Sequence, residues 1–476
     1  MKRNIYHSMR KTVVILIAFL CLHASAGISL ASFTIEDEKK LGKEFYEKLK
    51  SRGVLLTNPK VNEYIDKTGR LLLSHGSTSF FDFTFSVIDS PGINAFATPG
   101  GYVYVYSGLI ELTENESQLA GVLAHELGHI KARHIAQTIE SSQKVNIATL
   151  AAILAGAFLG GGGDLSAAVA SFSIATATTL NLKYSRQHEE EADRLGMSYL
   201  AETGYDGEGM LDFLKIMRKY EFYSSSIPSY FLTHPGTSDR ILYLDGLLQT
   251  KYAHRGAKSI IGGLDRIKTL LVTDRKDLDS SFRYFQDILK DDPDNINALY
   301  GLAVVQGKLG KTSESFANFE TALSLSPDDA DILRDLGIRY FNLGNTAAAI
   351  EVLQRAHSID TKDPDTILYL GRSYETTGDY RTSLGFYEEF LKNNPDDTLI
   401  YYNLAMIYGK IDMLGESHYN FGIFFKKKQR IKDALFHFKA AQELFPTDSE
   451  MAGKIKKEID SINENPVGRK DEHKKN

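Results

Sequence analysis

The stretch HELGH, residues 125–129, decides how the first half of this 476-residue chain is interpreted. Leucine, valine and isoleucine recur at helical spacing around it, which predicts one continuous helix from about 115 to 140. Thr113 and Glu116 have the spacing of a capping box and predict the N-terminus of that helix. Two histidines four residues apart lie on one helix face, one turn apart. The stretch therefore predicts a helix that presents two imidazoles and one carboxylate together.

Two histidines and an acid at this spacing fit a zinc site. The ring nitrogens of His125 and His129 can both reach one Zn²⁺ at about 2.0–2.1 Å. Glu126 stands beside the first ligand, where it can take a proton from a zinc-bound water and return it to a leaving amine. Gly128 lowers helix propensity by roughly 1 kcal/mol, so we expect another segment to approach the backbone closely there. The alternative is that these residues occur together by chance on a solvent-exposed helix face.

The remaining ligands must come from other segments. His134 stands nine residues after His125, on the opposite face of a continuous helix, so we expect it to contact neighbouring helices rather than the metal. A second predicted helix, near 184–203, carries Glu189 and Asp193 four residues apart on one face. Glu189 could be the third protein ligand, and Asp193 could accept a hydrogen bond from a ligand histidine. His188 is a weaker ligand candidate.

These motifs resemble those of the metalloprotease family that includes HtpX and the CAAX prenyl proteases. The resemblance rests on HELGH, on SRQHEEEAD at 185–193 and on NAFATPGG at 94–101. It implies a zinc endopeptidase with one Zn²⁺ per chain. It also implies that Glu189 is the third ligand, while its two neighbours Glu190 and Glu191 are expected to be solvated surface.

The resemblance further assigns roles to residues outside the two motif helices. It implies that Asp193 supports the catalytic site from behind the ligands. It also implies that a histidine of a His-Pro loop can occupy the fourth metal position and hold the enzyme latent; here that histidine is His234, before Pro235. An ordinary loop histidine is the alternative. Arg240 follows, and a role in stabilising the reaction's oxyanion is a weaker expectation.

The N-terminus predicts a targeting segment. Residues 1–11 are basic, 12–22 are apolar and 24–26 are small, so residues 1–26 are expected to be a cleaved signal peptide, with an uncleaved membrane anchor as the alternative. Cleavage removes four of the 55 basic residues and none of the 61 acidic ones, so the net charge changes from −6 to −10. It also removes Cys21, the only cysteine. Metal ligands must then be His, Asp or Glu, and nucleic acid is not an expected partner.

Residues 27–262 predict an α+β metalloprotease domain of the zincin type with a small sheet. The runs at 81–89 and 100–106 (GGYVYVY) are strand-like, and we expect the second to lie at a sheet edge where an extended substrate could pair. Residues 145–163 carry no charge and are rich in Ala and Gly. Their apolar run is short for a membrane span, so a mobile lid is expected, with membrane contact as the alternative.

The C-terminal part predicts an all-α solenoid, which makes the whole chain mainly α. Gly310, Gly344 and Gly378 recur every 34 residues, each between two amphipathic helical patterns, as in tetratricopeptide repeats. The phase slips after Pro395, and an extra helix is expected near 399–409. We expect the repeat domain at 263–465 and a disordered tail at 466–476.

The combined features predict a zinc-dependent endopeptidase of the periplasm. The resemblance implies that it degrades misfolded or stalled envelope and outer-membrane proteins and assists their assembly, with outer-membrane assembly machinery as a partner of the repeats and with peripheral membrane contact. A tetratricopeptide-repeat chaperone or scaffold with a mainly structural zinc is the alternative. A membrane-embedded protease would need several spanning segments, which the sequence after residue 26 does not contain.

Overall fold

The computed structural model describes residues 33–75, 79–140, 147–159, 184–223, 230–275 and 277–464. The chain divides into two compact units, Met1–Leu271 and Val272–Asn476. The predicted signal peptide, the predicted tail and most of the predicted lid lie outside the described residues. The predicted domain boundary at 262–263 stays a prediction. Within the described ranges, no helix has the length and apolar character needed to cross a bilayer.

The first unit combines ten described helices with one described sheet. The helices are α1 (Ile35–Ser51), α2 (Pro59–Leu73), α3 (Ser107–Leu112), α4 (Glu116–Lys131), α5 (His134–Glu140), α6 (Ile147–Leu159), α7 (Arg186–Thr203), α8 (Glu208–Tyr223), α9 (Tyr230–Thr233) and α10 (Thr237–Gln249). A capping box begins α1: the Thr34 side chain accepts from the Asp37 N–H, and the Thr34 N–H donates to the Asp37 carboxylate.

The sheet has three strands in the order β1-β3-β2: β1 (Thr84–Ile88), β2 (Ala95–Thr98) and β3 (Tyr102–Tyr106). β3 pairs in parallel with β1 and antiparallel with β2. The expectation that the GGYVYVY strand is an edge is therefore wrong. Its valines and tyrosines alternate so that both of its faces are covered, and β3 becomes the centre of the sheet.

The start of α4 differs from the predicted capping box. Asn115 is the N-cap, and its side chain accepts from the Gln118 N–H, while Thr113 ends α3. The buried Glu116 carboxylate instead accepts from three consecutive backbone N–H groups, those of residues 260–262. It also accepts from the hydroxyls of Tyr64 and Tyr205. Glu116 thus fixes the first turn of α4 to distant segments rather than to its own cap.

Two glycines allow α4 and α7 to cross with their backbones nearly in contact. A Cβ on Gly128 would lie 2.6 Å from the carbonyl oxygen of Ala192, and a Cβ on Gly196 would lie 3.1 Å from the backbone of Ala124. The close approach expected from Gly128 is confirmed. Because the two helices touch here, the side chains near each glycine on the facing sides of α4 and α7 are brought together.

The predicted continuous helix from 115 to 140 is wrong at one point. α4 ends at Lys131, Arg133 takes a left-handed backbone conformation with φ of 56°, and α5 begins at His134. A buried carboxylate stabilises this turn: the Arg133 guanidinium donates to Glu38 at 2.6 Å and to the Phe33 carbonyl at 3.0 Å. The helix is interrupted here, and the His134 ring lies beside His129 rather than on the far side of α4.

Part of the predicted lid segment is packed against the first helix. Leu150, Ala151 and Leu154 of α6 are buried in one apolar cluster with Leu41 and Phe45 of α1. Residues 141–146 and 160–183 lie outside the described residues. A lid formed by 145–163 therefore stays a prediction.

The second unit is built from antiparallel helix pairs. After α11 (Leu264–Thr273) come α12 (Leu278–Asp291), α13 (Ile296–Lys308), α14 (Thr312–Leu325), α15 (Ala330–Asn342), α16 (Thr346–Ile359), α17 (Pro364–Thr377), α18 (Tyr380–Asn393), α19 (Thr398–Lys410), α20 (Leu414–Lys427), α21 (Ile431–Leu444) and α22 (Glu450–Glu464). Small residues let the paired helices pack: a Cβ on Gly301 of α13 would lie 2.2 Å from the Phe285 ring.

The expected slip of the repeat phase after Pro395 is confirmed, because the left-handed turns at Asp412 and Gln429 are 17 residues apart instead of 34. Gly310, Gly344 and Gly378 all have positive φ, between 77° and 82°, at the turn between paired helices. Asp412, the next position in the same 34-residue phase, has φ of 60° between α19 and α20. The helix expected near 399–409 is α19, and the expected further unit follows it as α20 and α21, joined by the turn at Gln429. Asp replaces Gly because a short polar side chain tolerates the left-handed region.

Substituting Gly128→Ala should lower the stability of the first unit by about 1–3 kcal/mol, because the new methyl group would collide with the Ala192 backbone. Gly246→Ala is the matched control, since nothing lies within 4 Å of a Cβ at that helical position. We expect the control to be neutral or stabilised by up to about 1 kcal/mol. Thermal unfolding of both full-length variants measures this. Equal midpoints for the two would contradict the close crossing.

Candidate metal centre

Four buried side chains converge on one point in the first unit. His125, His129, Glu189 and His234 each offer one ligand atom, and these atoms all lie within 4.8 Å of one another. Each of the four side chains is at most 2% exposed. They come from α4, from α7 and from the residue that follows α9. The structure therefore brings together the four residues that the sequence singled out as metal ligands.

The individual distances show how closely the donors approach. The Nε2 atoms of His125 and His129 are 3.0 Å apart. Each lies 3.5 Å from a carboxylate oxygen of Glu189. The Nδ1 atom of His234 is 3.3 Å from His125 Nε2 and 3.3 Å from Glu189 Oε1. One carboxylate and three imidazoles thus share a space without apolar side chains between them.

Glu126 lies beside this group and is also fully buried. Neither of its carboxylate oxygens has a hydrogen-bond partner among the described residues, and His234 Nε2 is 3.5 Å from one of them. Burial raises the pKa of Glu126 above its ordinary value, against the opposing influence of His234 and His125. A carboxylate without partners and with a raised pKa can take up and release a proton, as a general base requires.

Asp193 and Arg240 support the group from behind. The Asp193 Oδ1 atom is 2.8 Å from His125 Nδ1, the ring nitrogen opposite the cluster. Arg240 donates to both Asp193 oxygens, at 2.8 and 2.7 Å, and its third nitrogen is 2.7 Å from Glu189 Oε2. All three guanidinium nitrogens thus contact carboxylates. These contacts give no support to the expectation that Arg240 stabilises an oxyanion.

The local charges favour a cation at the ligand atoms. Burial alone would lower the pKa of His125, and Arg240 acts in the same direction, but Asp193 and Glu189 raise it to about 9. Burial would raise the pKa of Glu189, but His234 and Arg240 hold it well below its ordinary range. The site therefore binds positive charge at a histidine and keeps an ionised carboxylate beside it, the conditions that also favour a metal ion.

Two further residues contact the group, and sequence reasoning did not assign them to it. The Nδ1 atom of His134 is 2.8 Å from His129 Nδ1. Burial lowers the pKa of His134 to about 4, so its ring is neutral at pH 7. The Tyr184 ring stacks on His129 with centroids 3.8 Å apart. No motif marks Tyr184; its place one residue before the Ser185 N-cap of α7 is the only local signal.

The residues fit a metal ion on the evidence of their own atoms. His234 Nε2 and both Glu126 oxygens are buried without hydrogen-bond partners among the described residues, a state that costs free energy unless another group compensates. Imidazole nitrogens with a carboxylate oxygen are the donor set that zinc prefers in the absence of cysteine. His188 is not part of the set; its ring stacks on His134, with centroids 4.3 Å apart.

Comparison with known families identifies this part of the chain. Residues 59–248, which contain all six residues of the cluster and its support, match the model of peptidase family M48. These residues form an M48 peptidase domain. In the second unit, residues 308–366 and 365–397 match tetratricopeptide-repeat models, which confirms the repeat architecture. The predicted fold class, a metalloprotease domain followed by helical repeats, is confirmed.

Curated proteins are similar to part of this chain. The chain is 34% identical over 219 residues to the beta-barrel assembly-enhancing protease of Escherichia coli, a match that covers 46% of this chain and 44% of that protein. It is 32% identical over 213 residues to the protein of the same name in Yersinia pestis, covering 44% of each. It is 28% identical to the mitochondrial metalloendopeptidase OMA1 of Schizosaccharomyces pombe, covering 44% of this chain and 60% of that protein. The chain thus matches less than half of the length of the two bacterial relatives.

Replacing Asp193 with Asn should weaken metal binding by about 10- to 100-fold, because His125 loses its charged hydrogen-bond acceptor and Arg240 loses half of its compensation. Zinc affinity, measured by competition with a chelator, tests this. Asp239→Asn is the control: it removes an exposed carboxylate of α10 that pairs with Arg186 on the surface. Wild-type affinity in Asp193→Asn would contradict the supporting role.

Proposed function

We propose that this protein is a zinc-dependent endopeptidase of the periplasm. The observation that carries the proposal is the buried Glu126 carboxylate, which has no hydrogen-bond partner in the described part of the chain and lies beside a convergent set of metal-binding donors. A site that only stabilises the fold does not need an unpaired acid at its centre, because such a group costs free energy without adding a ligand. The M48 domain and the metalloendopeptidase name of one relative support the same reaction class.

We assign metal binding to His125, His129 and Glu189, with His234 as a fourth ligand. A zinc ion bound there supplies a Lewis acid that polarises the substrate carbonyl and makes an attacking water more acidic. Glu126 accepts the proton of the attacking water and then transfers it to the nitrogen of the leaving amine. Asp193 keeps the proton of His125 on Nδ1, so that Nε2 presents its lone pair to the ligand position.

The substrate is expected to reach the site beside β2. A cavity at this place is lined by Ala97 to Pro99, by Tyr184 and by His129. The cavity of about 10 Å³ has room for one water molecule only, so we assign substrate contact to β2 itself, an edge strand of the described sheet with which an extended peptide can pair. This placement replaces the earlier expectation that β3 pairs with the substrate.

The substrate class and the compartment are inferred from the relatives. Proteins named beta-barrel assembly-enhancing proteases match 44–46% of this chain, which supports misfolded or stalled outer-membrane proteins of the envelope as substrates. Tetratricopeptide repeats present an extended concave surface for partners, so we assign contact with unfolded clients and with assembly machinery to the second unit. The signal peptide proposed at residues 1–26 would deliver the chain to the periplasm.

His234 is proposed to hold the enzyme latent. Its ring is fully buried, stacks on Tyr230 at 4.5 Å and faces both Glu189 and Glu126. A fourth protein ligand would fill the position that a water and the substrate need in a catalytic zinc site. Opening would then require His234 and the adjacent Pro235 to move away. A closed set of four protein ligands also fits the alternative, a repeat chaperone with structural zinc. Two experiments distinguish this chaperone from a latent endopeptidase.

Glu126→Gln should keep zinc and lose at least about 10²-fold in activity, because only proton transfer is removed. Degradation of casein and zinc content of the purified full chain are the two measurements. Glu190→Gln, a change at an exposed neighbour of Glu189, is the control and should match the wild type. Cleavage by Glu126→Gln at the wild-type rate would refute the proposed mechanism.

His234→Ala should raise casein degradation several-fold while the other three ligands retain zinc. His254→Ala, at an exposed position, serves as the control and should leave the rate unchanged. Unchanged or lower activity with full zinc content would exclude the latency switch. Loss of zinc from His234→Ala would instead favour a structural site that needs all four ligands.

A further inference from the structure

His134 has no place in the proposed reaction, yet its ring is fully buried against the metal centre. It begins α5 directly after the left-handed Arg133, and its ring contacts His129 of α4. Its Nδ1 atom lies 2.8 Å from His129 Nδ1, the nitrogen of His129 that faces away from the other ligands. Its Nε2 atom lies 3.4 Å from Glu191 Oε2 on α7.

These contacts connect the metal ligand His129 to Glu191 at the protein surface through the imidazole rings of His129 and His134. The first distance is that of a good hydrogen bond and the second is that of a weak one. Glu191 is about half exposed, with 45% of its side chain accessible, whereas His134 is 0% exposed. His188 stacks on the His134 ring at an interplanar angle of 18° and keeps it in this plane. Glu191 was expected to be solvated surface only; the structure adds this contact.

Proton positions along the connection are linked. A neutral imidazole carries one N–H, and a contact between two ring nitrogens needs one donor and one acceptor. If His129 Nδ1 carries the proton, it donates to His134 Nδ1, and the His134 proton must then lie on Nε2, where Glu191 accepts it. In the opposite arrangement His134 Nδ1 donates, and the proton of His129 lies on Nε2, inside the ligand cluster, where it blocks metal binding.

We propose that His134 is a positioning residue that fixes the metal-binding tautomer of His129, and that Glu191 fixes the tautomer of His134 in turn. Asp193 does the same for His125 by direct contact. The two ligand histidines of α4 therefore obtain their tautomers in different ways, one from a buried carboxylate and one through a second imidazole. The left-handed turn at Arg133, held by Glu38, is what places His134 in reach.

The inference rests on the proposed metal site, and zinc affinity of the full chain tests both separately. His134→Asn retains an acceptor, because the Asn Oδ1 atom can replace the Nδ1 atom, whereas His134→Leu has similar bulk and no acceptor. We expect His134→Asn to bind zinc within about threefold of the wild type and His134→Leu to bind about 10- to 100-fold more weakly. The absorption spectrum of the cobalt-substituted protein should change for Leu only.

Glu191 supplies a second test that does not depend on how well the His134 variants fold. Glu191→Leu should weaken zinc binding in the wild-type background by a smaller factor than His134→Leu, since the carboxylate acts through one more hydrogen bond. It should have no effect in the His134→Asn background, because Asn has no group at the Nε2 position. Equal loss in both backgrounds would show a general effect of charge and would overturn the relay.

The remaining outcomes are also decisive. Equal zinc affinities of His134→Asn and His134→Leu, whether both high or both low, would overturn the proposal, because the acceptor would then not matter. A wild-type chain that binds no zinc would refute the metal site itself, and with it the role of His134. A wild type that binds zinc while the two variants behave alike would leave the endopeptidase proposal intact and remove only the relay.

Discussion

The M48 domain depends on the contact between α4 and α7. Gly128 and Gly196 remove the Cβ atoms that would keep the two backbones apart. Without that approach, His125 and His129 on one helix could not lie within hydrogen-bonding range of Glu189 and Asp193 on the other. Glycine in a helix interior costs roughly 1 kcal/mol relative to alanine, so this part of the chain gives up helix stability for the geometry of the site.

The same contact buries charged groups, and the site pairs them with groups of opposite charge. A buried ion costs roughly several kcal/mol when it has no partner. Arg240 meets the charge of Asp193 and of Glu189 with its three nitrogens. One guanidinium faces two carboxylates, so negative charge remains at the cluster, and those carboxylates raise the pKa of His125. A divalent cation at the ligand atoms would remove the remainder.

Most of the site could be predicted from the sequence because its residues follow helical spacing. His125, Glu126 and His129 lie on one helix, Glu189 and Asp193 on another, and periodicity alone shows which of them share a face. The errors have a common cause. Arg133 and Asp412 take left-handed backbone conformations that are usually marked by glycine, so a helix end and a repeat turn were missed. Neither turn is visible in the sequence. The turn at Arg133 is stabilised by a long-range contact with Glu38.

Tyr184 and the sheet order show a second limit of sequence reasoning. Stacking of Tyr184 on His129 is a tertiary contact without a local pattern. β2 is short and alternates little, and without it β3 could not be recognised as a central strand. In both cases the missing information is which distant segments become neighbours.

The donors of the metal centre are far apart along the chain. The contact of His234 with His125 joins residues 109 positions apart, that of Arg240 with His125 joins residues 115 apart, and that of Arg240 with Asp193 joins residues 47 apart. No short segment carries the whole set, and the α4–α7 crossing must form before the ligands meet. A newly made or partly unfolded chain therefore has no intact ligand set, and any metal-dependent chemistry at this centre requires a folded first unit.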